Sequence, residues 1–150
     1  MADAAEFQWT TYALFLGLGL AGYVGYSIFP AFVDNMDAAQ QLHGVVNDGW
    51  RLPGKEELHK RVMEKLATIG KHVETPAGGA TTEVSGLPID DDSVEVVCTD
   101  QNEDCSAQQG DVTVTVHYTR RMPLPGLKDK FITLHFSPTA SASLAPVNWN

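Results

Sequence analysis

Residues 12–33 read YALFLGLGLAGYVGYSIFPAFV, twenty-two positions without a charged side chain. As a helix rising 1.5 Å per residue, this stretch spans about 33 Å, enough for a hydrocarbon core of about 30 Å. A small soluble domain rarely needs an apolar helix of that length. A transmembrane helix is therefore expected, with the rest of the chain hung from it. Trp9 and Tyr12 at its start and Tyr23 and Tyr26 in its outer half suit the aromatic belts of the two interfaces. Pro30, one turn before the end, is expected to kink the helix or to mark where it leaves the bilayer.

The stretch is not uniform in size. Ala13, Gly17, Ala21 and Gly25 recur every four residues on one helix face, with Gly22 beside them. Small residues in register let a second helix approach closely, which is how membrane helices associate. The expected role of this face is contact with another membrane subunit. The first eleven residues carry Asp3 and Glu6 and no Lys or Arg, unlike the basic start of a signal peptide. An uncleaved anchor is expected.

Beyond the anchor, about 115 residues suffice for one modest core. The net charge of −9 excludes a nucleic-acid binder, which needs a basic surface. The charge is also segregated. Residues 51–72 hold six of the ten Lys and Arg, while residues 73–119 hold ten acids and no Lys or Arg. Such contrast suits docking on another protein. Orientation signals conflict. Arg51 is the nearest basic residue, on the C-terminal side, and by the positive-inside rule places the domain in the cytoplasm. Cys98 and Cys105, flanking a polar loop between two strands, suit a local disulfide and hence an oxidising compartment. The expectation follows the cysteines: an inner-membrane protein with a periplasmic C-terminal domain.

Residues 34–46 (DNMDAAQQLHGVV) are expected to be helical, with Asp34 or Asn35 as cap and Met36, Ala39, Leu42, Val45 and Val46 on the apolar face. They can also continue the membrane helix past Pro30. Residues 55–73 carry Leu58, Val62, Leu66, Ile69 and Val73 at helical spacing, flanked by Lys and Arg. This stripe reads as core, with a membrane-surface helix as the alternative. Residues 74–92 form a linker. Three strands follow, at 93–99, 111–119 and 130–137, joined between 120 and 129 by a proline-rich irregular turn (RRMPLPGLKD). Residues 138–150 are expected to be an extended tail, with Trp149 free to dock on a neighbour. The expected fold is α+β: a short tail (1–11), a transmembrane helix (12–33), a helical segment (34–73), a linker, and a three-stranded antiparallel sheet (93–137) covered by one or two helices.

Chemistry-bearing patterns are few. An antiparallel pairing centred near Gly126 sets His117 opposite His135, but a third metal ligand is not apparent, so a solvated polar face is expected. Residues 100–104 (DQNED), with Asp111 at the twelfth position, echo a calcium loop. Cys105 stands where that loop needs glycine, and strands rather than helices flank it, so an acidic hairpin loop is expected. Asp90, Asp91 and Asp92 read as a charge run at a strand entry. The chain has no nucleophile elbow, phosphate loop, dinucleotide fingerprint or zinc-type cysteine pair. The apolar stretch carries no charge for ion transfer and no His for a porphyrin. A non-enzyme without cofactor or metal is expected.

Two resemblances attach to residues 27–35 (SIFPAFVDN). With the amphipathic helix after them, the segment 118–125 (YTRRMPLP) and the strand ending Phe136-Ser137, they resemble a bacterial single-pass membrane family, domain of unknown function 4845. The likeness runs over most of residues 12–137; the acidic insert with its two cysteines departs from it, and the family implies no activity. Pro30-Ala31-Phe32 and Gly22 also resemble the N-terminal helix of type IV pilins and pseudopilins, which leads into an antiparallel sheet. Here Ala13 stands where those proteins carry a glutamate, and a Gly-Phe processing site is lacking. The expected function is a non-catalytic accessory subunit that binds other membrane subunits through its helix and sits in the lipid bilayer. The alternatives are a pilin-like filament subunit and, third, a calcium- or ligand-sensing domain.

Overall fold

The anchor stretch and the segment after it form one helix. In a computed structural model of the chain, α1 runs from Asp3–Asn47 through Pro30, 45 residues and about 68 Å long. Residues 3–52, 54–74, 82–99, 105, 110–127 and 130–144 are described. Proline removes one amide from the helix ladder, and the helix continues across it. α1 divides by environment, not by Pro30. From Trp9 to Leu20 its large side chains are 62–78% exposed. From Tyr23 onward one face is covered: Ser27, Ala31, Ala38, Leu42, Val45 and Val46 are buried. The first half is long and apolar enough to cross a membrane. From Trp9 to Leu20, none of these large side chains is covered by the rest of the described chain.

Leu42, Val45 and Val46 are buried as expected, and the face departs from the expected one only at its start. Met36 is 70% exposed and Ala38, rather than Ala39, is fully covered. The reason is continuity. The face is set by the register that starts at Ser27 and Ala31, not by a fresh helix capped at Asp34.

α2 (Lys55–Leu66) is shorter than its apolar stripe. Leu58, Val62 and Leu66 are buried against α1 and the sheet, so the stripe is core and not a lipid-facing surface. Ile69 and Val73 keep the helical spacing but lie outside α2. The chain turns at Gly70, whose φ of +64° belongs to the left-handed region, and Val73 enters a strand. That strand, β1 (Lys71–Glu74), pairs with β2 (Thr82–Ser85) inside the segment expected to be a linker.

The main sheet has three antiparallel strands, with different members from those expected. β3 (Val94–Cys98) and β4 (Asp111–Val116) pair as the sequence suggests, through inward Val94, Val96, Val112, Val114 and Val116. The strand expected at 111–119 breaks at His117, and β5 (Tyr118–Pro123) occupies what reads as a turn. β5 pairs with β6 (Phe131–Phe136). The C-terminal tail supplies β7 (Thr139–Ser143), the third strand of the main sheet, in the order β3-β4-β7. Residues 145–150, and so Trp149, lie outside the described residues.

One register runs through both pairings. Asp111 faces Ser143, Thr115 faces Thr139, and past His117 the count continues with Tyr118 facing Phe136 and Pro123 facing Phe131. β4–β5 and β6–β7 are therefore the two arms of one long hairpin. The Val116 amide donating to the Pro138 carbonyl (3.0 Å) spans the break. The base of this hairpin is in the main sheet under the C-terminal end of α1. Its upper part runs back along α1 toward the bare half.

Candidate functional site

The junction between helix and hairpin holds Arg120, the buried charged residue among those described. Along β5 the inward positions are Tyr118, Arg120 and Met122. An arginine in the apolar phase of a strand needs a partner, since an unpaired buried charge is costly. Its partner is Asp34, the first charge after the apolar stretch. One Arg120 nitrogen donates to the Asp34 carboxylate and the other to the Lys71 carbonyl. The side chains are 7% and 18% exposed.

Around this pair the motif residues close up. The Tyr118 hydroxyl donates to Asn35 Oδ1 at 3.1 Å. The Tyr118 ring stacks on Phe136 at 5.3 Å between centroids, and Phe32 meets Phe136 edge-on at 5.6 Å. Such aromatic pairs contribute about 0.5–1.5 kcal/mol each beyond their buried area. Burial pushes the Tyr118 phenol up to about 12; the nearby Asp34 charge acts in the same direction and Arg120 against it. Gly70 lies against this cluster. A Cβ built there would stand 2.5 Å from an Asp34 carboxylate oxygen. The cluster therefore fixes the direction in which the domain leaves the helix.

A second contact lies higher up. The Tyr23 hydroxyl donates to the carbonyl of Pro125, at the hairpin tip. From Asn35 to Tyr23 the helix rises about 18 Å, and from Tyr118 to Pro125 a strand covers about 23 Å. The strand exceeds the helical rise by about 5 Å, and the contacts follow opposite chain directions, so β5 runs antiparallel and somewhat obliquely to α1 between its two fixed points.

The expected helix-packing residues lie elsewhere. Ala13, Gly17, Ala21, Gly22 and Gly25 are all exposed, and a Cβ added at Gly17, Gly22 or Gly25 meets nothing within 4 Å. At 3.6 residues per turn, the four-residue row sits roughly a quarter-turn around α1 from the face that holds the domain. The domain leaves it open.

Cys98 and Cys105 are joined by a disulfide, with Cα atoms 5.4 Å apart. The acidic loop 100–104 lies outside the described residues. The Asp90 carboxylate and the Ser93 hydroxyl cap a short turn reciprocally, which accounts for part of the Asp90–Asp92 run. His117 and His135 are exposed and not opposite one another. The hairpin is centred one residue later than expected, so His117 Nδ1 meets Ser137 Oγ and His135 Nδ1 meets Thr119 Oγ1, each at 2.9 Å. Among the described residues, three or more potential ligands nowhere gather around a common point.

The Asp34–Arg120 and Tyr23–Pro125 contacts were not anticipated from the sequence. Their signals were present: an arginine in strand phase and a carboxylate closing a charge-free run. No family model matches the chain, and neither a curated protein nor a solved structure is similar to it.

Proposed function

We propose that this chain is a non-catalytic single-pass accessory subunit of a bacterial inner membrane. It packs into a larger membrane protein complex through the first half of α1 and presents its α+β domain on the periplasmic side. The observation that carries this reading is the bare first half of α1, with its open row of small residues at Ala13, Gly17, Ala21 and Gly25. In lipid a row of that kind is satisfied by close packing of another helix. The Asp34–Arg120 cluster supports it, because it would transmit the helix's orientation to the domain without a flexible link. The disulfide supports the periplasmic side.

The test is co-purification from detergent-solubilised membranes. The native chain brings its partner subunits with it, while Gly17→Leu with Ala21→Leu loses them. Retention of every partner by the double variant overturns the reading.

A second reading, a pilin-like filament subunit, is favoured by one feature. A continuous helix protrudes bare at its start and packs its later half on an antiparallel sheet. Crosslinking from Gly17→Cys in intact membranes separates the two. Ladders of this chain alone support the filament, and products with other chains support the accessory subunit.

A further inference from the structure

We infer that the tip of the β5–β6 hairpin is a second membrane contact, seated at the boundary between lipid headgroups and acyl chains beside the point where α1 leaves the bilayer. This rests on the reading of α1 as a membrane span, and it moves the edge of that span.

Residues 12–33 fix the length of the apolar run but not where lipid ends along it. The domain supplies the missing mark. It covers α1 only from Tyr23 onward, and Tyr23 is bonded to the hairpin tip at Pro125. If lipid reached Val33, the upper hairpin and the charged Asp34–Arg120 cluster's neighbours would stand inside the hydrocarbon. From Phe7 to Gly22, between Glu6 and the covered part, α1 carries no charge over about 24 Å, a little less than a bilayer core of about 30 Å, so the boundary layer reaches the level of the hairpin tip. Lipid then ends near Tyr23, a residue suited to that depth.

At that level the tip has the composition of an interfacial wedge. Leu127 is 54% and Phe131 49% exposed, on either side of the turn. Among the described residues of the turn, most backbone polar groups are accounted for. Pro123 and Pro125 have no amide, and Leu124, Leu127 and Lys130 donate theirs within the turn. The Pro125 carbonyl takes its bond from Tyr23. Backbone satisfied in this way tolerates a water-poor boundary. Lys130, exposed beside Phe131, limits the depth to the headgroups, where lysines meet lipid phosphate.

The experiment uses the full chain in vesicles of phosphatidylcholine and phosphatidylglycerol, with a nitroxide on a single introduced cysteine. The native cysteines are bonded and do not react. Leu127→Cys reports the tip, and Phe131→Cys repeats the reading from the adjoining strand. Leu18→Cys reports the span, and Val97→Cys, exposed at the far end of the sheet, reports water. Relaxation by dissolved oxygen is compared with relaxation by a water-soluble nickel chelate. The expected result is oxygen-dominated relaxation at positions 18, 127 and 131, shallower at the last two, and nickel-dominated relaxation at 97. If 127 and 131 behave like 97 while 18 reports lipid, the tip contact is overturned and the span stands. Low relaxation by both reagents at 127 and 131 marks a protein contact and overturns it too. If 18 reports water, the span and the inference fall together.

Discussion

Arg120 on β5 donates to the carboxylate of Asp34 on α1, 86 positions away in the chain, and holds the hairpin to the helix midway along the covered part of α1. Removing one member leaves the other charge buried. Breaking a buried pair costs about 3–5 kcal/mol, while replacing both members with apolar residues is often neutral. Arg120→Met is therefore expected to lower the thermal midpoint sharply in detergent, and Asp34→Leu with Arg120→Met to recover most of the loss. Equal loss in the single and double variants would show that the ion pair is not what holds the junction.

Gly70 and Gly126 both have positive φ, at +64° and +81°, but different surroundings. At Gly126 an added methyl meets open space, so alanine there costs backbone strain alone, about 1–2 kcal/mol. At Gly70 the methyl would also have to displace the Asp34 carboxylate from Arg120. Gly70→Ala is expected to be clearly the more destabilising in parallel melts. A Gly44→Ala control, in α1 with open space, should gain about 0.5–1 kcal/mol.

Much of this architecture was legible in the sequence. Val112, Val114 and Val116 alternate as a half-buried strand must, Leu58, Val62 and Leu66 recur as a covering helix must, and the hairpin centre was placed within one residue. The misses have physical causes. The inward residues of β7 are Ala140 and Ala142, too small to stand out from the serines and threonines between them, yet small enough for α1 to lie close. β5 was hidden by its adjacent arginines and by Pro123 at its end, because Arg120 becomes a core residue only once Asp34 is brought to it. The end of α2 was hidden because Ile69 and Val73 stay in helical phase, while the turn is decided at Gly70. The candidate site was least legible, since its halves lie far apart in the chain.

The Tyr118 phenol gives the junction a signature at high pH. Its folded pKa is raised to about 12, against 10.0 for a free tyrosine. A raised folded value means that the neutral ring is favoured by folding. The stability it lends is whole below about pH 10 and falls as pH rises toward 12, because the unfolded chain gives up the proton first. Unfolding midpoints between pH 9 and 12 should therefore drop faster in the native chain than in Tyr118→Phe. Parallel curves would mean that the phenol is not held by this site.

The disulfide between Cys98 and Cys105 closes a short loop, and its half-cystines are 5% and 4% exposed. Crosslinks of this kind contribute about 2–4 kcal/mol. Cys98→Ser with Cys105→Ser is expected to lower the midpoint by that order. Because the loop is at the far end of the sheet from Asp34, the loss should add to that of Arg120→Met without coupling. A large interaction energy between the two sites would mean that the sheet transmits strain along the whole hairpin.

Small residues on α1 serve two different surfaces, and substitution can tell them apart. Ala31 and Ala38 are fully buried under the domain, whereas Ala21 is exposed on the open row. A leucine at 31 must push the hairpin off the helix. Overpacking of this kind costs about 1–3 kcal/mol, and more if it also parts Asp34 from Arg120 one turn away. A leucine at 21 has nothing in this chain to displace, so the isolated protein should melt at its native temperature. The cost at 21 would fall on assembly instead, seen as loss of partner subunits on purification. If Ala21→Leu destabilises the isolated chain as much as Ala31→Leu does, the row is covered by this chain's own domain and does not form an external face.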